Sequence, residues 1–140
     1  MNDRRQGRVL HLASIVRVPI AISLGAIAGA LSRYYMTLGL TQWLGTTFPF
    51  GTFFVNLCGA LMMGFFTTLS VEQSFISPDL RLIVAVGFIG SYTTFSTYEL
   101  DAEQLLLARH WNMTLLYWIS TALLGVLCLE LGSYLARRLF

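Results

Sequence analysis

An all-α integral membrane protein of four transmembrane helices is the fold class that three observations predict for this 140-residue chain. Hydrophobic residues make up 56% of it and charged residues only 11%, where soluble domains carry about a quarter charged. Mean hydropathy is +0.68. The nine basic residues, all arginine, and the seven acidic ones gather at a few places and leave long neutral runs between them. Each run approaches or exceeds the roughly 20 helical residues that cross a hydrocarbon core about 30 Å thick, so no soluble catalytic domain fits beside them. The formal charge of +2 comes mostly from Arg4, Arg5, Arg8 and Arg17. No further basic run follows, which argues against nucleic acid and for anionic lipid as the neighbour.

Residues 1–17 read as a basic N-terminal extension and residues 18–140 as the transmembrane domain. The apolar stretch after the arginines is too long for a signal-peptide core and lacks a small-residue cleavage site, so the first helix is expected to be retained. Span one is predicted from Val18 to Leu40, with Pro19 near a first-turn position and Arg33 as its single charge. No charge follows until Glu72. That interval must hold a loop at Thr41 to Phe48, with Gly45, Thr46, Thr47 and Pro49 as turn chemistry, and span two from Pro49 to Ser70. Ser77, Pro78 and Asp79 then form a helix start: a capping hydroxyl, a proline whose missing amide is harmless there, and an acid near the positive dipole end. Span four is predicted from Met113 to Tyr134, capped by Asn112 and closed by Arg137 and Arg138.

Span three opens apolar, from Leu80 to Ile89, but continues Gly90-Ser-Tyr-Thr93-Thr94-Phe95-Ser96-Thr97. About a dozen residues past Arg81, this string falls near the bilayer midplane. Single hydroxyls in membrane helices commonly bond back to their own backbone, which explains four in five residues poorly. The expectation is a helix broken over Gly90 to Thr94. Its freed backbone groups need protein, water or an ion as partners, since lipid offers none. Two breaks meeting in a dimer would cover one another, and the freed carbonyls could hold a small cation.

Other polar residues have two readings each. Asn56, in Gly51-Thr52-Phe-Phe-Val-Asn56-Leu-Cys-Gly59, either joins helices or lines a pore. Arg33 either snorkels to the far interface or makes a vestibule electropositive. Tyr117, Thr121 and Gly125 share a helix face, which bonds another helix or lines a path. Gly25, Gly29, Gly59 and Gly64 suit close helix approach, and Cys58 and Cys128 read as buried thiols rather than a disulfide. Arginine placement favours an internal N-terminus; without residues 1–17 the count is three against two, which specifies little.

Three elements now stand in order: Gly25-x-x-x-Gly29-x-x-x-Arg33-Tyr34, Gly51-Thr52-x-x-x-Asn56-x-x-Gly59, and Gly87-x-x-Gly90-x-x-Thr93-Thr94-Phe95-Ser96-Thr97. Together they resemble the fluoride channel family known as Fluc or CrcB, from Gly25 to the C-terminus. The resemblance implies an antiparallel, dual-topology dimer in the cell's inner (plasma) membrane, formed with a second copy or an oppositely oriented paralogue. It implies two pores at the interface and a central structural sodium ion on carbonyls that Gly90 and Thr93 match. It further implies that Asn56 lines the pore, that Phe95 and Tyr98 form an aromatic box, and that Thr94, Ser96, Tyr117 and Thr121 complete an anion track. The second box position is commonly Phe; Tyr98 adds a hydroxyl that can bond elsewhere and turn the ring.

The expected function is passive fluoride export from the cytoplasm. Aromatic rings presented edge-on can replace part of the water shell of a small hard anion, and Arg33 and the central cation would offset repulsion from Glu99 or Asp101. One rival is a proton-coupled small-molecule exporter, whose carboxylate would have to lie after Tyr98. Another is a non-conducting structural subunit of a heterodimer. No enzyme is expected, because Thr94 and Ser96 have no nearby base in sequence.

Overall fold

The computed structural model describes residues 2–72 and 76–140, with side chains from residue 15 onward. Four stretches are long and apolar enough to cross a membrane: Ile15–Leu44, Phe50–Glu72, Pro78–Leu107 and Trp111–Leu139. The first belongs to α1, Asn2–Leu44, and the second is α2, Phe50–Glu72. The third is built from α3, Pro78–Arg81, a π-helical stretch Leu82–Ile89, α4, Gly90–Tyr92, and α5, Phe95–Leu107. The fourth is α6, Trp111–Leu139.

The local signals act where expected at the start of span three. Ser77 caps α3, its Oγ accepting from the Leu80 amide at 3.2 Å, with Pro78 in the first turn. Two other ends differ. Pro19 lies inside α1, not in its first turn, because the helix starts upstream in the extension. Asn112 is not the cap of α6: the helix begins at Trp111, and His110 holds the N-cap position. Arg109, at φ 60°, turns the chain there, and the His110 carbonyl accepts from both the amide and the hydroxyl of Thr114.

Glycines set the packing. A Cβ at Gly25 would meet the Ile83 carbonyl, one at Gly29 the Phe88 carbonyl, and one at Gly87 the Ile22 carbonyl. Span one and the π-helical stretch therefore touch backbone to backbone. The wider i→i+5 winding, absent from the sequence-based expectation, coincides with this contact. On the other side α2 and α6 pack through Gly64 on the Leu129 carbonyl and Gly132 on the Leu61 carbonyl, and Ser133 Oγ donates to the Gly64 carbonyl at 3.2 Å. Gly125 has open space around it, so the expected Tyr117–Thr121–Gly125 stripe does not continue as a packed face.

The buried core is small, with Val55, Ile89, Ala102, Tyr117 and Ala136 fully or almost fully covered. Many leucines, isoleucines and valines of spans one, three and four face outward, as lipid-facing or partner-facing surfaces require. At one end Arg17 pairs with Asp79 at 2.8 Å, and the Arg81 guanidinium donates to the Ser70 carbonyl.

Gly29→Ala is expected to destabilise the chain by about 1–3 kcal/mol through overpacking, read as a lower thermal midpoint in detergent. Gly39→Ala, which has nothing within 4 Å, should leave that midpoint unchanged or raise it.

Candidate functional site

The sequence expects a break over Gly90 to Thr94; the structure narrows it to two residues. Gly90, Ser91 and Tyr92 are helical, while Thr93 (φ −76°, ψ 157°) and Thr94 (φ −150°, ψ 118°) are extended. Fifteen residues past Pro78, they sit midway along a membrane-spanning stretch of 30 residues.

The backbone groups of Thr93 and Thr94 have named partners. The Thr94 amide, which would bond to the Gly90 carbonyl in an unbroken helix, instead donates to Asn56 Oδ1 at 2.8 Å. Asn56 Nδ2 donates to the Thr94 carbonyl at 3.0 Å. A single side-chain amide thus takes both backbone groups of one residue. The Thr93 amide and hydroxyl both donate to the Ile89 carbonyl, at 3.1 and 3.2 Å. Thr94 Oγ1 caps α5, accepting from the Thr97 amide at 3.3 Å, and lies 3.0 Å from Thr97 Oγ1 and 3.4 Å from Ser96 Oγ. The amides of Phe95 and Ser96, in the first turn of a 13-residue helix, have no intrahelical acceptor. They place the positive end of a helix dipole inside the membrane.

Of the two roles foreseen for Arg33, the structure does not show the snorkelling one. Its Nη1 lies 3.4 Å from the Thr93 carbonyl, so it reaches the break instead of snorkelling to the far interface. With Thr37, Thr52, Thr94 and Thr97 it lines a cavity of about 340 Å³ on one side of the broken strand of chain.

On the other side a cavity of about 460 Å³ brings together Asn56, Thr93, Thr94, Phe95, Tyr98 and Thr121. Phe95 is 74% exposed, and its ring centroid is 5.8 Å from that of Tyr98. Thr121 Oγ1 is buried with no hydrogen-bond partner among the described residues. Gly59 also lines this cavity, where an added Cβ would strike Thr93 Cγ2, so α2 seats directly against the break.

Gly90, Ser96 and Tyr117 are not among the residues lining that cavity. Ser96 is exposed at the start of α5. Tyr117 is wholly buried, packed on Phe48 at 5.4 Å and Tyr98 at 5.0 Å, because its hydroxyl turns to Asp101 Oδ2 at 3.4 Å. The Tyr98 hydroxyl donates to the Trp118 carbonyl at 3.3 Å, which ties its ring to α6. Sequence reasoning named Asp101 as a source of charge and, with the other acids after Tyr98, as a candidate exporter carboxylate; its spacing from Tyr117 gave no sign of their contact.

Among the described residues, no three His, Cys, Asp or Glu side chains converge to hold a metal. The donors available are main-chain carbonyls. Gly90 has lost its helical donor to Asn56, and the Thr93 carbonyl carries one long hydrogen bond. Neutral carbonyl oxygens suit a hard cation and not a soft transition metal. One chain offers this pair, so a full shell fits only where a second chain repeats it.

Residues 20–133 match the family model described as CrcB-like protein, Camphor Resistance (CrcB). Among similar proteins, one from Trichormus variabilis is 54% identical, over 87% of this chain and 90% of its own length. One from a Synechococcus strain is 50% identical, over 87% and 94% respectively. One from a Synechocystis strain is 46% identical, over 89% and 95%. All three are named fluoride-specific ion channel FluC.

Asn56→Leu strands the amide and carbonyl of Thr94, at about 1–3 kcal/mol each. The thermal midpoint should drop well below that of the parent. Asn56→Gln, with the same amide one methylene further out, should recover only part of the loss.

Proposed function

This chain belongs to the CrcB-like family, and on that footing we propose that it is a fluoride-selective channel through which cytoplasmic fluoride leaves by passive electrodiffusion across the plasma membrane. One observation carries the reading. Midway along span three, an exposed Phe95 and Tyr98 line one cavity together with Thr121, whose buried hydroxyl has no partner among the described residues.

Fluoride holds its water tightly, so a path through lipid must replace that water group by group. The positive edges of Phe95 and Tyr98 supply part of the replacement. Asn56 spends one amide hydrogen on Thr94 and has a second to offer. Thr94, Ser96 and Thr121 add hydroxyls along the way. The N-terminal end of α5 adds fixed positive potential without a mobile charge that would bind the anion too firmly. Tyr117 contributes by holding Tyr98, because its own hydroxyl is engaged by Asp101. Arg33 makes the opposite face of the break electropositive.

The channel works as an antiparallel pair, a second chain covering the break and completing two paths. The Gly90 and Thr93 carbonyls of both chains would hold a sodium ion between them. Such an ion supplies a fixed central charge; the clamp of Asn56 on Thr94 is what leaves the Gly90 carbonyl free to face it. Chemistry of the enzymatic kind has no part in this reading.

One observation favours a second reading: Asp101 is a carboxylate within span three that contacts a tyrosine, as a proton-coupled exporter would need. Purified protein in liposomes separates the two. Fluoride, but not chloride, should leave when an ionophore carries potassium in electrical compensation, and a requirement for a proton gradient would favour the exporter. Phe95→Ile should abolish the flux, while full flux would remove Phe95 from the path. Tyr98→Phe, which frees the ring from the Trp118 carbonyl, should keep or raise the rate; complete loss would mean that the hydroxyl is required.

A further inference from the structure

We propose that the groove between the start of span one and α3 is a binding site for one lipid of a defined kind, phosphatidylglycerol, whose headgroup carries a single negative charge and free hydroxyls. This site depends on the membrane-spanning fold and on the rim of the groove, and not on what the chain conducts.

The groove encloses about 550 Å³ and shares no residue with the cavities on either side of the break. One wall is Val16, Ile20 and Leu24, every fourth residue of α1 and therefore one row on its surface. That row descends about 12 Å from the membrane edge and is more than half exposed at each position. Ile83 of the π-helical stretch lines the groove from the other element. Ala21, only 6% exposed, lies deeper, and its small side chain leaves room above it. An apolar trough of this shape in a membrane helix pair takes a hydrocarbon chain.

The rim decides which lipid. Arg17 stands near the start of the spanning stretch Ile15–Leu44 and Asp79 near the start of Pro78–Leu107, so both lie at headgroup level. The guanidinium directs Nε and Nη2 at a single carboxylate oxygen, Asp79 Oδ1, each at 2.8 Å. Arg17 Nη1 and Asp79 Oδ2 have no partner among the described residues, and the two side chains are 64% and 38% exposed. A charged donor and a charged acceptor thus stand side by side above an apolar trough.

A phosphodiester oxygen satisfies the guanidinium. The carboxylate oxygen needs a hydrogen-bond donor, which the glycerol hydroxyls supply and a choline headgroup lacks. Ethanolamine carries a donor as well, but its lipid is neutral overall. This end of the chain adds the charge of Arg81 and, further along the same helix as Arg17, those of Arg4, Arg5 and Arg8. Their combined field favours a headgroup of net negative charge. Arg81 contributes field and not contact, since its guanidinium donates to the Ser70 carbonyl.

The test uses the full chain, purified and stripped of lipid in detergent, with dioleoyl lipids added and the lipids retained per chain counted by native mass spectrometry. One phosphatidylglycerol should be retained, at least about fivefold more tightly than phosphatidylcholine or phosphatidylethanolamine. Phosphatidylmethanol, which keeps the phosphodiester and lacks the hydroxyls, should bind at least about twofold more weakly than phosphatidylglycerol. Arg17→Gln should bring phosphatidylglycerol down to the level of phosphatidylcholine. Asp79→Ala should make phosphatidylglycerol and phosphatidylmethanol alike while both still exceed phosphatidylcholine. An exposed ion pair adds little to stability, so both variants should keep the parent's thermal midpoint without lipid. Leu24→Trp, at an exposed position, fills the trough and should lower retention of every lipid, which keeps the test open if a rim variant does not fold. Equal retention of phosphatidylglycerol and phosphatidylcholine by the parent overturns the proposal, as does retention unmoved by Arg17→Gln or by Leu24→Trp. Phosphatidylmethanol or phosphatidylethanolamine held as firmly as phosphatidylglycerol overturns the assignment of the headgroup.

Discussion

A main-chain amide and carbonyl set loose inside a bilayer must be paid for by a partner of fixed geometry, and here that partner is Asn56. Its two bonds to Thr94, at 2.8 and 3.0 Å, permit an extended residue where lipid would otherwise enforce helix. The rest of the site follows from that permission. The Gly90 carbonyl loses its donor, α5 gains an N-terminus at mid-membrane, and Thr94 becomes free to cap it. Gly59 on the next turn of α2 removes the side chain that would hold α2 away from the break.

Close packing without a hydrophobic driving force explains the glycines. Lipid tails are as apolar as leucine, so helices in a membrane gain by contact of backbone with backbone and by interhelical hydrogen bonds. Gly25, Gly29 and Gly87 make one such contact, Gly64 and Gly132 another. The two together place α1 and α6 on opposite sides of a frame within which the break is held. Few residues are fully buried, and stability here owes more to this fit than to an apolar core.

Much of this was visible in the sequence, for a reason that also sets its limit. Four neutral runs, the Ser77-Pro78-Asp79 start and the hydroxyl-rich string in span three are local signals, and each corresponds to a local structure. Asn56, Thr94, Phe95, Tyr98 and Thr121 could be named because a polar or hydroxyl-rich stretch inside an apolar one is conspicuous. What stayed hidden depends on a neighbour far along the chain. Arg33 could be read as interfacial or as part of a vestibule, and only an acceptor 60 residues away, which holds it at the break, separates the two. Tyr117 looked like part of a path until Asp101 claimed its hydroxyl. The π winding answers to a contact with span one that no run of residues announces, and the break came out three residues shorter because helical bonding persists until Asn56 interrupts it.

That brevity has its own consequence. Only the dihedral angles of Thr93 and Thr94 relate the helix before the break to the helix after it. A residue added or removed there would swing every side chain of α5 through about 100° about its axis. Phe95 and Tyr98 would leave the cavity together, and Asp101 would leave Tyr117. The segment can therefore vary in chemistry far more readily than in length, and insertions in relatives that conduct should collect in the loops and avoid these two positions.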